Sequence, residues 1–222
     1  MYRYANETMN NQQIRYQVQG QTGGQQGLRF GAHEFLETQE SLRTKASDIE
    51  LYGVLISQTQ DPHLRDILSN QQNRMVQGYQ QALALANMAN YNTGVATVPH
   101  TPQTNVYENV RVGLHQPQQP APNANVKTLS DRTIATVALN LHKGGAISSM
   151  MWALECTVPQ LRAFHATCSN ICQEMAYELF QYLNYTGVYQ VPQLADHTMN
   201  TMLQAFQGQG NTTMNYTTNA NY

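Results

Sequence analysis

Charge is what this 222-residue chain has least of: only 12% of its residues are Asp, Glu, Lys or Arg, and the formal net charge is −2. That is about half the usual share. Both signs are scattered and no basic block exists, which excludes nucleic-acid binding driven by phosphate neutralisation. Long apolar runs are missing as well. None approaches the ~20 residues needed to cross a bilayer, so no membrane span is expected. The three cysteines, at 156, 168 and 172, are odd in number and clustered, unlike a secreted disulfide framework. The first residues, Met1-Tyr2-Arg3-Tyr4-Ala5-Asn6, lack the apolar stretch of a signal peptide. Synthesis and retention in a cytosol is the expectation.

Signatures of chemistry are equally scarce. There is no Gly-rich phosphate loop, nucleophile elbow or metalloprotease motif. A di-metal site in a helical bundle takes a Glu from each of two helices and a Glu-x-x-His pair from each of the others, and no such tetrad occurs. The carboxylates that share helix faces are Glu34 with Glu37 and Glu174 with Glu178, with His33 or His142 as the only assisting imidazoles. A ferritin-like metal-binding or redox protein would have to use these; solvated or hydrogen-bonded carboxylates is the simpler reading. Cys168 and Cys172 share a face at i, i+4, and Cys156 and His165 could lie near one bundle end, but no Cys-x-x-Cys element accompanies them. Packing as small apolar groups is expected of the cysteines, with intermolecular oxidation the alternative, above all for Cys156. His142-Lys143 has no nucleophile to serve, and Trp152 reads as a core anchor. Neither an enzyme activity nor a cofactor is expected.

What is present is a repeat. Asn90-Tyr91-Asn92-Thr93-Gly94-Val95-Ala96-Thr97-Val98-Pro99 returns one residue shorter as Asn184-Tyr185-Thr186-Gly187-Val188-Tyr189-Gln190-Val191-Pro192. Asp61-Pro62-His63-Leu64-Arg65 likewise corresponds to Val158-Pro159-Gln160-Leu161-Arg162, at an offset of 97 between prolines. Each copy closes what reads as two helices, so the chain is one helical hairpin used twice. The predicted fold is all-α: a ferritin-like four-helix bundle of two duplicated hairpins, with a long crossover linker and disordered polar termini.

The divisions follow from composition. Residues 1–28 form a Gln/Asn/Tyr-rich tail that can bury little apolar surface. The first hairpin spans 29–91, with Phe35, Leu42, Ile49 and Ile56 as the apolar stripe of its first helix and Ala46 and Tyr52 nearby on the same side. Leu64, Leu68, Met75, Tyr79, Leu83 and Ala86 line the second, with Asp61 as cap. Residues 92–127 hold five of the eight prolines and form a linker long enough to run the length of a helix. The second hairpin spans 128–192. Ile134, Val137, Ala138, Leu141, Ile147, Met151 and Leu154 face inward from its first helix, and Leu161, Phe164, Cys168, Ile171, Met175, Leu179 and Tyr182 from its second. Gly144-Gly145, costly in mid-helix, point to a close helix–helix approach. A polar tail covers 193–222.

The second hairpin carries a resemblance. Leu129-Ser130-Asp131-Arg132 through Leu141-His142-Lys143-Gly144, then Ala153-Leu154-Glu155-Cys156-Thr157-Val158-Pro159-Gln160-Leu161-Arg162, resemble the spore coat protein F (CotF-like) family. So does the ending Ala176-Tyr177-Glu178-Leu179-Phe180-Gln181-Tyr182-Leu183-Asn184 with Gly187-Val188-Tyr189-Gln190-Val191-Pro192. The first hairpin resembles that family more loosely. The resemblance implies a ferritin-like bundle made in the mother cell of a sporulating bacterium and placed in the spore coat, with other coat proteins and its own copies as partners. It implies no catalytic residues. A soluble helical adaptor is the remaining alternative.

Overall fold

The computed structural model describes residues 31–86, 109–114 and 120–207. The N-terminal tail, the first Asn-Tyr…Val-Pro ending and the last residues of the C-terminal tail fall outside these. Four long helices make the bundle: α1 (Ala32–Gln58), α2 (Pro62–Ala86), α3 (Asp131–Glu155) and α4 (Pro159–Tyr185). A short fifth, α5 (Asp196–Gln204), forms in the stretch expected to be an unstructured polar tail, and none of its residues is buried.

The boundaries have local causes. Pro62 and Pro159 open α2 and α4, where their missing N–H groups cost nothing. Asp61 Oδ1 accepts the His63 N–H at 2.9 Å and caps α2, as expected. Ser130 caps α3 by accepting from Thr133 N–H. Helix α4 stops at Gly187, whose φ of 79° is left-handed, and the Val188 N–H returns to the Leu183 carbonyl at 2.8 Å. That is a Schellman-type ending. The second Thr-Gly-Val ending is therefore a helix stop.

Carboxylates join the two hairpins at both ends. Glu34, in the first turn of α1, accepts backbone N–H groups from Thr157 and Val158 in the α3–α4 turn. Asp131, in the first turn of α3, accepts those of Gln60 and Asp61 in the α1–α2 turn, at 2.9 and 3.0 Å. Every member of one staple lies 97 residues from its counterpart in the other, the same offset as the prolines. The bundle is thus pseudo-two-fold, and the staples fix directions. The start of α1 lies beside the end of α3, and the start of α3 beside the end of α1. The chain between α2 and α3 must then cross the whole bundle, roughly 37 Å for a 25-residue helix. This is the long-crossover arrangement expected. Near its finish, Arg111 N–H donates to Asn184 Oδ1 at 2.7 Å and Gly113 N–H to the Val191 carbonyl at 2.8 Å.

The inward faces match expectation unevenly. All seven positions named for α4 are buried. Trp152 is a core residue, and Leu64 and Leu68 are buried in α2, while Leu83, also expected to face inward, is exposed. In α1, however, the buried line is Glu34, Thr38, Ser41, Tyr52 and Leu55, and Phe35 is exposed. In α3, Ile147 and Leu154 are 72% and 74% exposed, Val137 and Met151 also face outward, and His142, Ser149 and Trp152 face in. Both helices turn part of their apolar stripe outward; of the polar side chains turned in, Glu34, Tyr52 and His142 find partners inside.

The glycine pair divides. A Cβ on Gly145 would lie 3.1 Å from Cys172 Sγ, while one on Gly144 would meet nothing within 4 Å. Only Gly145 serves the close approach of α3 to α4. Gly144→Ala is expected to stabilise by about 1 kcal/mol through helix propensity, and Gly145→Val to destabilise by roughly 2 kcal/mol through overpacking. Urea unfolding of the two variants measures both signs.

Candidate functional site

Apolar packing at the α1–α2 turn end (Tyr52, Leu55, Leu64, Leu68, Ile134, Leu139, Leu179 and Leu183) gives way toward mid-bundle to a buried polar cluster drawing on all four helices. Tyr52 of α1, Gln71 and Arg74 of α2, His142 of α3 and Glu178 of α4 form it. The Tyr52 hydroxyl lies 2.8 Å from Gln71 Oε1 and 2.5 Å from His142 Nε2. Gln71 Nε2 donates to the Met175 carbonyl at 3.0 Å and to Glu178 Oε2 at 2.8 Å. Arg74 Nη2 meets the same Glu178 oxygen at 2.5 Å, and the two side chains are 7% and 8% exposed. Such a pair holds its charges only because each satisfies the other.

Donor counting favours one histidine tautomer. Both Gln71 amide hydrogens are used by Met175 and Glu178, so its Oε1 is an acceptor, and the Tyr52 O–H serves it. His142 Nε2 therefore carries a hydrogen, donated to the Tyr52 oxygen. Its Nδ1 is left as a bare acceptor, with no hydrogen-bond partner among the described residues. Burial, with Arg74 and Lys45 nearby, pushes the His142 pKa down to about 3, so the ring is neutral. Burial and Lys45 take His165 down to about 4. That ring packs edge-on to Trp152 and Phe164, with centroids 5.7 and 5.3 Å away.

Beside the cluster lies a cavity of about 50 Å³. Thr44, Lys45, Asp48 and Arg74 line its first-hairpin side; Leu141, His142, Gly145 and Ile171 are among those lining the other. Lys45 Nζ stands 5.9 Å from the Phe164 ring centroid, and its nearby charge works against the burial that raises the Cys168 pKa. Burial raises the Asp48 pKa, with Lys45 opposing it.

The carboxylates weighed as metal ligands are not brought together. Glu34 is spent on the staple at one end, and Glu178 on Arg74 in mid-bundle. His33 pairs with Glu155 at 3.3 Å on the surface. Among the described residues, no group of three or more His, Cys, Asp or Glu side chains is placed to hold a metal ion. His142 and Lys143 diverge, one into the core and the other 5.2 Å over the Tyr189 ring. Cys156 and Cys168 are buried and Cys172 partly so. Burial raises all three thiol pKa values, to about 11 for Cys156 and Cys172, which favours the inert thiol. Cys156 thus packs in the core, where an exposed thiol open to oxidation had been the alternative. Gln71 and Arg74 were absent from the sequence expectations, and Tyr52 entered them only as a member of the apolar side of α1; the one visible signal of the other two was polar side chains recurring at core spacing.

Comparison with known proteins gives a consistent result. Residues 130–192 match the family model described as the Coat F domain. The spore coat protein F-like protein YhcQ of Bacillus subtilis (strain 168) is 28% identical over 204 residues, 90% of this chain and 92% of that protein. A solved structure of a candidate spore coat protein from Bacillus halodurans C-125 superposes with a TM-score of 0.56. It matches 77% of this chain and 98% of its own length at 14% identity, a likeness of fold alone. The resemblance of this chain to the CotF-like family is borne out.

Proposed function

We propose, from the match of residues 130–192 to the Coat F domain and the likeness to a spore coat protein F-like relative, that this chain is a non-enzymatic structural component of the bacterial endospore coat. It is made in the mother cell and assembles with other coat proteins and with further copies of itself. The match across the second hairpin carries this reading.

Surface physics supports it. Phe35, Leu36, Leu51 and Val54 on α1, Ile147, Met151 and Leu154 on α3, and Met202 and Leu203 on α5 are large apolar side chains left exposed. Exposed apolar groups favour protein–protein contact. The low charge leaves little self-repulsion to oppose lateral packing. The interior is spent on holding the bundle together.

A fluorescent fusion expressed from its own promoter in sporulating cells tests the reading. A ring of signal around the forespore that persists on purified, washed spores is the expected result. Signal that stays diffuse in the mother cell, or stoichiometric iron or manganese in the purified protein, would overturn it.

A further inference from the structure

Helix α5 lacks the support a short helix needs. Its nine residues fall below the ~12–15 at which an isolated helix becomes even marginal in water, and none of them is buried on its own chain. Its sequence is nonetheless patterned. Met199, Met202, Leu203 and Phe206 fall at i, i+3, i+4 and i+7, a single apolar stripe, while His197, Asn200, Thr201 and Gln204 take the other side. Phe206 sits in the turn that continues the helix, its N–H on the Leu203 carbonyl at 3.1 Å, and is 90% exposed. A stripe of this spacing is what a helix laid into an apolar groove presents.

A groove of that kind lies on the second hairpin, about 390 Å³ in volume. Val137 and Leu139 of α3 and Leu183 of α4 line it, with Val188 and Tyr189 from the chain just past the α4 stop. The wall is held in place beforehand. Tyr189 stands edge-on to Phe180, with ring centroids 5.0 Å apart, and its carbonyl accepts from Asn184 Nδ2 at 2.9 Å. Along α3 the lining runs from Arg132 to Asn140, roughly 12 Å of helix, and the stripe from Met199 to Phe206 covers roughly 10 Å. Charge fits as well: Arg132 is the charged residue of the lining, and Asp196 is the acidic residue at the edge of the α5 stripe.

We propose that α5 of one copy docks into the α3–α4 groove of a second copy. No α5 residue lines the groove of its own chain. Gly113 N–H holds the Val191 carbonyl at 2.8 Å, which fixes the chain shortly before the helix, and from there α5 runs clear of its own groove. Helix and groove are different surfaces, so each copy gives one and takes another, and the contact passes from copy to copy. The docking rests on the reading above that copies assemble with one another, and it gives that assembly its surfaces.

Sedimentation of the full chain over a range of concentrations tests this. Self-association should grow with concentration. The α5 double variant Leu203→Glu, Phe206→Glu and the groove variant Val137→Glu should each weaken it roughly tenfold or more. All three positions are exposed, so both variants should fold, which circular dichroism checks. Mixed together, the two variants should form a one-to-one pair and stop there, because the intact groove of the first takes the intact helix of the second and neither has a further surface to offer. A chain that stays monomeric would overturn the docking, and protease protection of α5 in that monomer would put the helix on its own chain. Association indifferent to either variant, or a mixture that forms no pair, would overturn it too. Should Val137→Glu fail to fold, Asn140→Trp, at an exposed position of the lining, blocks the groove in its place. A ring of the fluorescent fusion around the forespore with a monomeric chain would sink the docking alone; a diffuse fusion with the expected sedimentation would sink the coat reading alone.

Discussion

Glu178→Leu is expected to cost the bundle about 4 kcal/mol, a large share of the ~5–15 kcal/mol that stabilises a typical domain. The loss is not that of one contact. Arg74 would keep its charge, buried, with its Nε and Nη1 already lacking partners among the described residues and its Nη2 newly orphaned. Gln71 would retain only the Met175 carbonyl for its amide. Adding Arg74→Met to the same chain should restore most of the stability, since an apolar pair of similar volume removes the stranded cation. Urea unfolding of the two single variants and the double variant closes the cycle. Equal destabilisation by the single and double variants would show that the ion pair matters only through the volume it fills.

Such a pair explains why the bundle tolerates polar stripes where aliphatic ones would pack. Tyr52, Gln71, His142 and Glu178 come from four different helices, and each hydrogen bond among them spans 19 to 107 residues of sequence. A slipped or rotated helix would strand several buried polar atoms at once, whereas aliphatic side chains would accept many alternatives. The cluster therefore discriminates among packings more than it adds net stability. Two hairpins of repeated architecture have an obvious wrong solution, namely pairing in a shifted register. A polar cluster that differs between the copies disfavours it.

What could be seen in advance was local. Pro62, Pro159, Asp61 and the Thr-Gly-Val stop mark helix ends through effects confined to a few residues, and these were legible. The duplication was legible too, and with the linker length it implied the long crossover. The inward faces of α1 and α3 were legible only in part. Choosing the most apolar stripe assumes that polar groups stay wet. Spacing put the Tyr52 ring on the inward side, but not the partners of its hydroxyl, Gln71 and His142, which lie 19 and 90 residues away. No window along the chain contains that information. Helix α4 was read correctly because its core line is aliphatic, aromatic and sulfur-bearing throughout.

The staples show the same long-range logic, and Glu34→Gln should cost about 2–3 kcal/mol. One carboxylate oxygen takes the Val158 N–H at 2.5 Å together with that of Thr157, and the other takes Gly31 N–H at 2.9 Å. An amide supplies only one acceptor, so it must turn an N–H₂ toward donors at one end or the other. Asp131→Asn should cost less, because its partner Gln60 is exposed and water can replace the lost bond. The pH dependence separates the staple from the histidines. Burial alone would raise the Glu34 pKa, but hydrogen bonds from Val158, Gly31 and Thr157 outweigh it and hold the value below 4.5. A carboxylate depressed on folding stabilises fully above its unfolded value, and that contribution fades as pH falls through the folded one. His142 and His165 act earlier. Their folded values of about 3 and 4 lie below the 6.5 of a free imidazole, so protonation of the unfolded chain costs stability from about pH 6.5 downward in variant and parent alike. The stability gap between Glu34→Gln and the parent should therefore hold constant from about pH 8 to pH 5 and close only below about 4.5. A gap that narrows between pH 7 and 5 would place the titrating group elsewhere.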